Sequence, residues 1–485
     1  MAGDNDDTLD PADWPEFRAR AHAMLDAAMD RMATCGSGPV WREPTPELKA
    51  AYDTELPVQG RGGDVIREQI ESLLPFGVGN THPRFFGWVH GSGTPGNLIA
   101  DIGAAAMNAN LGGRDHGAIY VEKQVIRWCR DLFGFPQDAS GLVVSGTSIA
   151  TIIALKTARD RQFDFDSRKS GVGSARLVGY TSTQTHACVA RAFDMLGLGT
   201  DALRKIPVND AFEIDTRALE QSITQDRAAG LTPFAIIGTA GSVDLGAIDD
   251  LETLADIAAR ENLWFHVDGA FGAFGVLSDR IRPRLTGLSR ADSLAFDFHK
   301  WMHVNYDAGC VLIRDEPAHR RAFSDRPGYL QPAERGLAAG NPWPVEYGPE
   351  LSRGFRALKI WAQIAEHGTA ALGRCVTRNC EQATYLSDLV GADDRLELLA
   401  PVAMNICCFR YRCDISDTAL NALNEDIVIR LQTEGIAAPS TTTIGGTRAI
   451  RVNITNHRTQ ARDIDLLVRE IRRIGDALVA QNTDS

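Results

Sequence analysis

Short apolar runs alternate with stretches of helical periodicity through the middle of the chain. Helical patterns such as 251–260 separate several of these runs, which lie at 142–144, 176–181, 234–238, 263–267, 293–298 and 310–313. Strands that alternate with helices are typical of a mostly parallel sheet covered by helices on both faces. We therefore predict an α/β fold in which the ligand binds beyond the carboxyl ends of the strands.

The two ends of the chain carry other patterns. Residues 14–33 place apolar side chains at helical spacing, which predicts an amphipathic helix whose apolar stripe needs a partner surface. The C-terminal part has the patterns of a long helix, two strands and a closing helix, at 351–389, 403–411, 450–454 and 463–478. We predict three parts: a helical segment that packs on a dimer partner (1–80), a large domain (81–370) and a small α+β domain (371–485).

Composition and charge restrict the classes of partner. The 485-residue chain has a formal net charge of −13, so it has no basic field to hold nucleic acid or an anionic membrane surface. No uncharged apolar run approaches the ~18 residues of a membrane span, and the acidic N-terminus lacks the apolar region of a signal peptide. Nine scattered cysteines without framework spacing indicate reduced thiols. We expect a soluble, cytoplasmic protein.

Three candidate chemical groups follow predicted strands, in chain order. The loop 145–148 (SGTS) enters a helix and could cradle a phosphate, although the same residues also make a good helix cap. Asp268 ends a strand, where it could cap a turn, bind a metal or face the ring nitrogen of a cofactor. Lys300 ends the next strand among apolar residues, where burial would lower its pKa and make the amine a nucleophile. Only seven lysines are present, and the three groups together favour a cofactor site.

Two other kinds of site fit the sequence less well. The pattern G-x-G-x-x-G at 91–96 precedes the alternating region, and Pro95 removes an amide that a dinucleotide phosphate would need. A metal-dependent hydrolase remains a rival from a different class, although Lys300 would repel the cation; its ligands would come from His266, Asp268, His299 and His303.

The motifs HVDGAFG, DFHKW and TSTQTHACVARA resemble those of the group II pyridoxal-phosphate (PLP) decarboxylases, the family of aromatic-L-amino-acid, histidine and glutamate decarboxylases. The resemblance extends from about Trp14 to Ala477. It implies the aminotransferase-like PLP fold-type I, in a homodimer with its active site at the subunit interface. It also implies that Lys300 holds pyridoxal 5′-phosphate as a Schiff base, that Asp268 pairs with the pyridine nitrogen and that His186 stacks on the ring. The further cofactor contacts that it implies are Gly146, Thr147, Ser148, Ala270, Asp297 and His299, with no metal.

The segment 327–330 (PGYL) resembles a mobile-loop motif in which tyrosine is associated with decarboxylation. The resemblance implies that Tyr329 donates the proton that completes the amine. Relatives with phenylalanine at this position produce an aldehyde instead. The expected reaction converts an L-amino acid to its amine and CO₂. Decarboxylation coupled to oxidation to an aldehyde, or other Cα or Cβ chemistry, is the alternative.

The substrate side chain is the least specified part of the site. The segment 85–91 matches a region that lines the side-chain pocket in relatives, which makes Trp88 and His90 candidates. Arg114 and His116 could bind a polar or acidic side chain, or they could form a structural ion-pair cluster with Asp115. An aromatic substrate is therefore what the family implies by default.

Overall fold

The computed structural model describes residues 8–325 and 333–483 of the chain. Its strands are β1 (Phe85–Phe86), β2 (Ser140–Val144), β3 (Leu177–Ser182), β4 (Leu203–Ile206), β5 (Thr232–Thr239), β6 (Trp264–Asp268), β7 (Ser293–Asp297), β8 (Gly309–Ile313), β9 (Leu396–Leu398), β10 (Ile406–Tyr411), β11 (Ala438–Ile444) and β12 (Thr447–Asn453). Its α-helices are α1 (Trp14–Ala33), α2 (Pro46–Ala51), α3 (Gly63–Leu73), α4 (Pro95–Met107), α5 (Gly117–Phe133), α6 (Thr147–Arg161), α7 (Ser167–Ser170), α8 (Ala187–Met195), α9 (Thr216–Ala228), α10 (Leu251–Glu261), α11 (Glu316–Phe323), α12 (Arg356–Gly391), α13 (Asp417–Thr433) and α14 (Ala461–Thr483).

Seven strands form the central sheet in the order β2-β8-β7-β6-β5-β3-β4. The run from β7 to β4 is parallel, and β8 is antiparallel to both of its neighbours. The predicted α/β class with a mostly parallel sheet is confirmed. Strand β4 was not predicted, because Arg204 and Lys205 interrupt its apolar pattern and only Leu203 and Ile206 are buried.

Both faces of the central sheet are covered. Along β7, Leu294 and Phe296 face one apolar cluster and Ala295 faces the other, as the two-residue period of a strand requires. Helices α5 and α10 contribute to the first cluster, and α6 and α8 contribute to the second. Strands buried on both faces read as continuous apolar runs, which is why the sequence reveals them.

A buried ion pair fixes the edge strand β2. The Arg353 guanidinium donates to Glu122 Oε2 at 3.0 Å and to the Leu111 carbonyl at 2.8 Å. Glu122 Oε1 in turn accepts the Val143 amide proton at 3.1 Å. Both charged side chains are almost fully buried, so each needs the other. The pair thereby holds the strand that leads directly into the loop 145–148.

A second sheet, in the order β1-β11-β12-β10-β9, is covered by α13, α14 and the later part of α12. Strand β1 is parallel to β11, with Phe85 opposite Ala438. The chain near residue 85 therefore joins the C-terminal sheet although it lies far from that sheet in sequence. Helix α12 is interrupted at Gly368, whose φ of 70° and ψ of 156° are not helical. The division into the three parts 1–80, 81–370 and 371–485 stays a prediction.

Helices α1, α2 and α3 contain no buried residue. Arg20 on α1 donates to Asp64 on α3 at 2.8 Å, while apolar side chains of both helices stay exposed, among them Phe17, Ile66 and Ile70. The accessible surface of the chain is 22822 Å². A compact monomer of this mass exposes about 17,600 Å².

Within 8–325 and 333–483, no helix combines the length and apolarity needed to cross a membrane.

Candidate active site

The loops that carry the predicted chemistry meet at one edge of the central sheet. Strands β6 and β7 end there with Asp268 and Asp297, whereas the antiparallel β8 begins there with Gly309. A Cβ atom on Gly309 would lie 2.5 Å from Gly146 Cα and 2.7 Å from Asp297 Oδ1. Only glycine therefore lets the loop after β2 approach the end of β7 this closely.

Lys300 and Asp297 form an ion pair at this edge. Lys300 Nζ lies 2.9 Å from Asp297 Oδ2, and the two side chains are 22% and 3% exposed. Burial lowers the pKa of Lys300, but the negative charges of Asp297 and Asp268 outweigh it and raise that pKa above its usual value. The expectation of a depressed lysine pKa was therefore wrong, because the apolar pattern around Lys300 does not reveal a carboxylate in contact with the amine. The amine is protonated at neutral pH, and Asp297 is the nearest acceptor for its proton.

Asp268 lies on the neighbouring strand, almost fully buried. Its Oδ1 accepts the Ala270 amide proton at 3.1 Å, and its Oδ2 lies 3.8 Å from the Cys188 thiol. Burial raises the pKa of the Asp268 carboxyl, and the Lys300 charge and the Ala270 amide oppose that rise. A carboxylate in this environment favours a cationic or proton-donating partner.

The start of helix α6 has the features of an anion site. Thr147 donates its amide proton to Asp297 Oδ1 at 2.7 Å, while its buried Oγ1 has no hydrogen-bond partner within the described residues. A Cβ atom on Gly146 would lie 3.5 Å from the His299 ring, so this ring lies beside the start of the helix. An unused hydroxyl at the N-terminus of a 15-residue helix suits a phosphate. Ser148 is exposed in the next position.

Two histidines flank these groups. His186 is the N-cap of α8, and its Nδ1 accepts the Cys188 amide proton at 3.2 Å. His299 Nδ1 accepts the Ala308 amide proton at 3.0 Å, which leaves Nε2 facing Asp297 Oδ2 at 3.7 Å. Burial lowers the pKa of His299, against the opposing charge of Asp297. In both rings, Nδ1 therefore accepts a hydrogen bond from a backbone amide.

A row of aromatic rings extends from His299 towards the second sheet. The His299 and Tyr306 ring centroids are 4.4 Å apart, and Tyr306 lies 5.9 Å from His90. His90 in turn stacks on Phe85 at 5.7 Å and lies 5.8 Å from Trp88. Burial and then the Lys300 charge lower the pKa of His90, which places this ring within electrostatic reach of the amine. The row forms an aromatic wall beside Lys300.

The family model for the pyridoxal-dependent decarboxylase conserved domain matches residues 46–412. The chain belongs to this family. An aromatic-L-amino-acid decarboxylase of Bacillus atrophaeus is 33% identical over 472 residues, which cover 95% of this chain and 96% of that protein. A histidine decarboxylase of Drosophila melanogaster is 28% identical over 491 residues, 97% of this chain and 56% of that protein. The predicted enzyme class, a PLP-dependent decarboxylase, is confirmed.

Solved structures agree on the fold of the decarboxylase. The crystal structure of mouse CSAD superposes with a TM-score of 0.89 at 25% identity, covering 96% of this chain and 99% of that one. The Oryza sativa TDC structure with PLP and tryptamine also has a TM-score of 0.89, at 24% identity and with 97% and 100% coverage. The predicted fold-type I architecture is confirmed.

The structure separates two of the four predicted substrate-pocket residues from the aromatic wall. Trp88 and His90 belong to the wall. Arg114 instead lies over the Trp343 ring at 4.8 Å, and His116 Nε2 lies 3.3 Å from the Asn110 carbonyl. Neither contact is the suggested cluster with Asp115, whose Oδ1 accepts the Tyr120 hydroxyl proton at 2.6 Å. Tyr329 lies outside the residues that the structure describes.

The residues considered for a metal site have other partners in the decarboxylase. His266 Nδ1 lies 2.8 Å from Ser293 Oγ, and His303 Nδ1 lies 3.3 Å from Ser92 Oγ. Burial lowers the pKa of His266 to about 3. In the described part of the chain, no group of three or more His, Cys, Asp and Glu side chains is placed to hold a metal ion.

Three residues of the site were missed by the sequence analysis. Tyr306 and Cys188 lie close in sequence to Lys300 and His186, so position alone could have drawn attention to them. Arg451 on β12 had no local signal, because its role depends on tertiary contacts. Its guanidinium donates to the carbonyls of Trp88 and Asp244, each at 3.0 Å, and so ties the aromatic wall to the loop after β5.

Replacing Asp297 by asparagine should lower the pKa of Lys300, because burial then acts against one carboxylate fewer. The oxygen of the asparagine side chain can still accept the Thr147 amide proton, so the loop should keep its place. We expect the pH at which Lys300 of the apoenzyme reacts half-maximally with trinitrobenzenesulfonate, followed by peptide mass spectrometry, to fall by about one to three pH units.

The matched control is Asp307→Asn, which removes a carboxylate on the same loop that pairs with Arg356 at 3.1 Å. This variant should leave the pH dependence at Lys300 unchanged. Equal profiles for wild type and Asp297→Asn would show that Asp297 does not set the charge on the amine.

Proposed function

We propose that the protein decarboxylates an aromatic L-amino acid to the corresponding amine and CO₂. The observation that carries this proposal is the ion pair between Lys300 Nζ and Asp297 Oδ2, which are 2.9 Å apart. This pair lies next to Asp268 and beside the aromatic wall. When bound, PLP supplies an electron sink for the pair of electrons left by the departing carboxylate.

We assign each side chain of the site a role that follows from its charge and position. Lys300 would bind the cofactor through its amine after passing a proton to Asp297, the acceptor in contact with it. Asp268, whose pKa is raised by burial, would hold a proton between its carboxylate and the ring nitrogen. Gly146, Thr147 and Ser148 would hold the phosphate at the start of α6, with His299 beside them. His186 would cover one face of the ring, and Ala270 would be a further contact of the cofactor.

The aromatic substrate class is supported by two separate observations. The Bacillus atrophaeus relative is named an aromatic-L-amino-acid decarboxylase. Within the aromatic wall, Trp88, His90 and Tyr306 offer ring faces and edges against which an aromatic side chain can pack. Arg114 is already stacked on Trp343, which leaves it less suited to binding an acidic side chain.

Product analysis over a panel of L-amino acids tests the proposal. With PLP present, mass spectrometry should find the amine and one equivalent of CO₂ from an aromatic amino acid. Lys300→Ala should reduce turnover to background, because the covalent link to the cofactor is lost. Borohydride should fix PLP on the Lys300 peptide in the wild type.

Lys205→Ala is the matched control, since Lys205 is an exposed lysine on β4 of the same sheet. It should retain wild-type turnover and borohydride labelling. Turnover of acidic amino acids alone would overturn the substrate class, and the absence of any PLP adduct on Lys300 would overturn the role of that residue.

Tyr329 is proposed as the proton donor that directs the reaction to the amine. Its hydroxyl can deliver a proton to Cα, which a phenyl ring cannot do. We expect Tyr329→Phe to reduce amine formation by about 10²- to 10⁴-fold, the usual contribution of a general acid. The remaining turnover should consume O₂ and release aldehyde, ammonia and hydrogen peroxide. Tyr385→Phe, on α12, is the control. An unchanged amine yield in Tyr329→Phe would remove Tyr329 from this role.

We also propose that the protein is a homodimer with its active site at the subunit interface. The exposed apolar residues of α1 and α3 and the large accessible surface support this assembly. The two helices lack buried residues within one chain, so a second copy is the surface that would cover them.

A cytoplasmic location is supported by nine free cysteines, seven of them buried.

Ile70→Glu should weaken the dimer, because a charge would enter the apolar face of α3. Light scattering coupled to size exclusion should give twice the 52.7 kDa chain mass for the wild type and a concentration-dependent shift towards the monomer for the variant. Glu71→Gln on the same helix is the control and should stay dimeric. A wild-type mass of one chain at micromolar concentration would contradict the proposal.

A further inference from the structure

Cys188 contacts two of the residues predicted to hold the cofactor. Its thiol lies 3.8 Å from Asp268 Oδ2, within the reach of a sulfur hydrogen bond. Its backbone amide donates to His186 Nδ1 at 3.2 Å. Cys188 is 5% exposed, and Asp268 is 3% exposed. One buried residue in the first turn of α8 thus joins a carboxylate on β6 to the histidine that caps the helix.

The amide of Cys188 determines which nitrogen carries the proton in a neutral His186 ring. A nitrogen that accepts a hydrogen bond carries no proton, so a neutral His186 must carry its proton on Nε2. The same contact limits rotation of the ring about its bond to the backbone. His186 is itself exposed.

The thiol of Cys188 completes the environment of the Asp268 carboxylate. Oδ1 is held by the Ala270 amide, and the thiol is the donor placed at Oδ2. Burial, and then the negative charge of Asp268, raise the pKa of the Cys188 thiol, so the sulfur keeps its proton and remains a donor. A thiol is a weak donor, so it orients the carboxylate while leaving most of its negative charge for a protonated ring nitrogen.

We propose that Cys188 is a positioning residue that holds Asp268 and His186 in a fixed arrangement relative to each other, the thiol acting on the carboxylate proposed for the ring nitrogen and the backbone amide acting on the imidazole proposed for the ring face. The role of Cys188 rests on the function proposed above for Asp268 and His186. Cys188 itself does not touch the reacting atoms in this role, and no bond is made or broken at its sulfur.

Two variants distinguish the loss of the hydrogen-bond donor from the loss of side-chain volume at position 188. Cys188→Ala removes the thiol and keeps the amide to His186, whereas Cys188→Ser keeps a donor of similar size. We expect Cys188→Ala to weaken PLP binding to the apoenzyme by roughly threefold to tenfold, and Cys188→Ser to stay within about twofold of wild type, because one hydrogen bond is lost in the first variant only. Cys380→Ala is the control, a fully buried cysteine on α12.

A spectroscopic readout distinguishes positioning from packing. The visible absorbance of bound PLP, titrated with pH, should shift in Cys188→Ala and not in Cys380→Ala. The S–H stretching band of Cys188 in the infrared spectrum should move to higher frequency when Asp268→Asn weakens the acceptor. This second measurement needs only the native thiol, so it stands even if Cys188→Ala fails to fold.

The Asp268→Ala variant distinguishes a wrong role for Cys188 from a wrong proposed function for Asp268. If Asp268→Ala leaves PLP affinity and absorbance unchanged, the proposed role of Asp268 is wrong. If Asp268→Ala impairs both properties while Cys188→Ala matches wild type in affinity and in the pH titration, only the role of Cys188 is overturned. Equal losses in the alanine and serine variants would likewise overturn it, since packing would then explain the effect.

Discussion

The partly buried Lys300 ammonium lies close to the buried carboxylates of Asp297 and Asp268, and the architecture of the site depends on these opposite charges compensating one another. Separating such charges from water is costly, and removing one partner leaves the others uncompensated. The register of the parallel strands brings them together, since Asp268 lies opposite Ala295, two residues before Asp297. Neighbouring strand ends thus supply an arrangement that a single loop could not hold as firmly.

Asp297 connects the two ends of the candidate cofactor site. One of its carboxylate oxygens contacts the lysine amine, and the other accepts the amide proton at the start of α6. The same side chain therefore influences both the nucleophile and the helix terminus suited to phosphate. A neutral amide at this position could serve the helix terminus but could not raise the pKa of the lysine in the same way.

The aromatic wall belongs to both sheets of the molecule. Its residues on the segment 85–91 are held by the pairing of β1 with β11 and by the carbonyl contacts of Arg451. Tyr306 reaches the wall from the loop that follows Lys300. The aromatic wall is therefore coupled to the C-terminal sheet, whereas Asp268, Asp297 and Lys300 lie at strand ends of the central sheet.

The apolar periodicity and the motifs of the chain are enough to predict the fold class, most strands of the central sheet and the family. Buried parallel strands appear in the sequence as apolar runs, and residues at their carboxyl ends share one edge of the sheet. The proximity of Asp268 and Lys300 could therefore be predicted from the sequence. The charge on Lys300, the position of Arg114 and the contacts of Cys188 and Arg451 follow only from the folded arrangement of the chain. Each of these depends on which side chains lie within a few ångströms of one another across elements distant in sequence. Burial and charge pairing depend on contacts between segments distant in sequence, and the periodicity of the chain carries no information about those contacts.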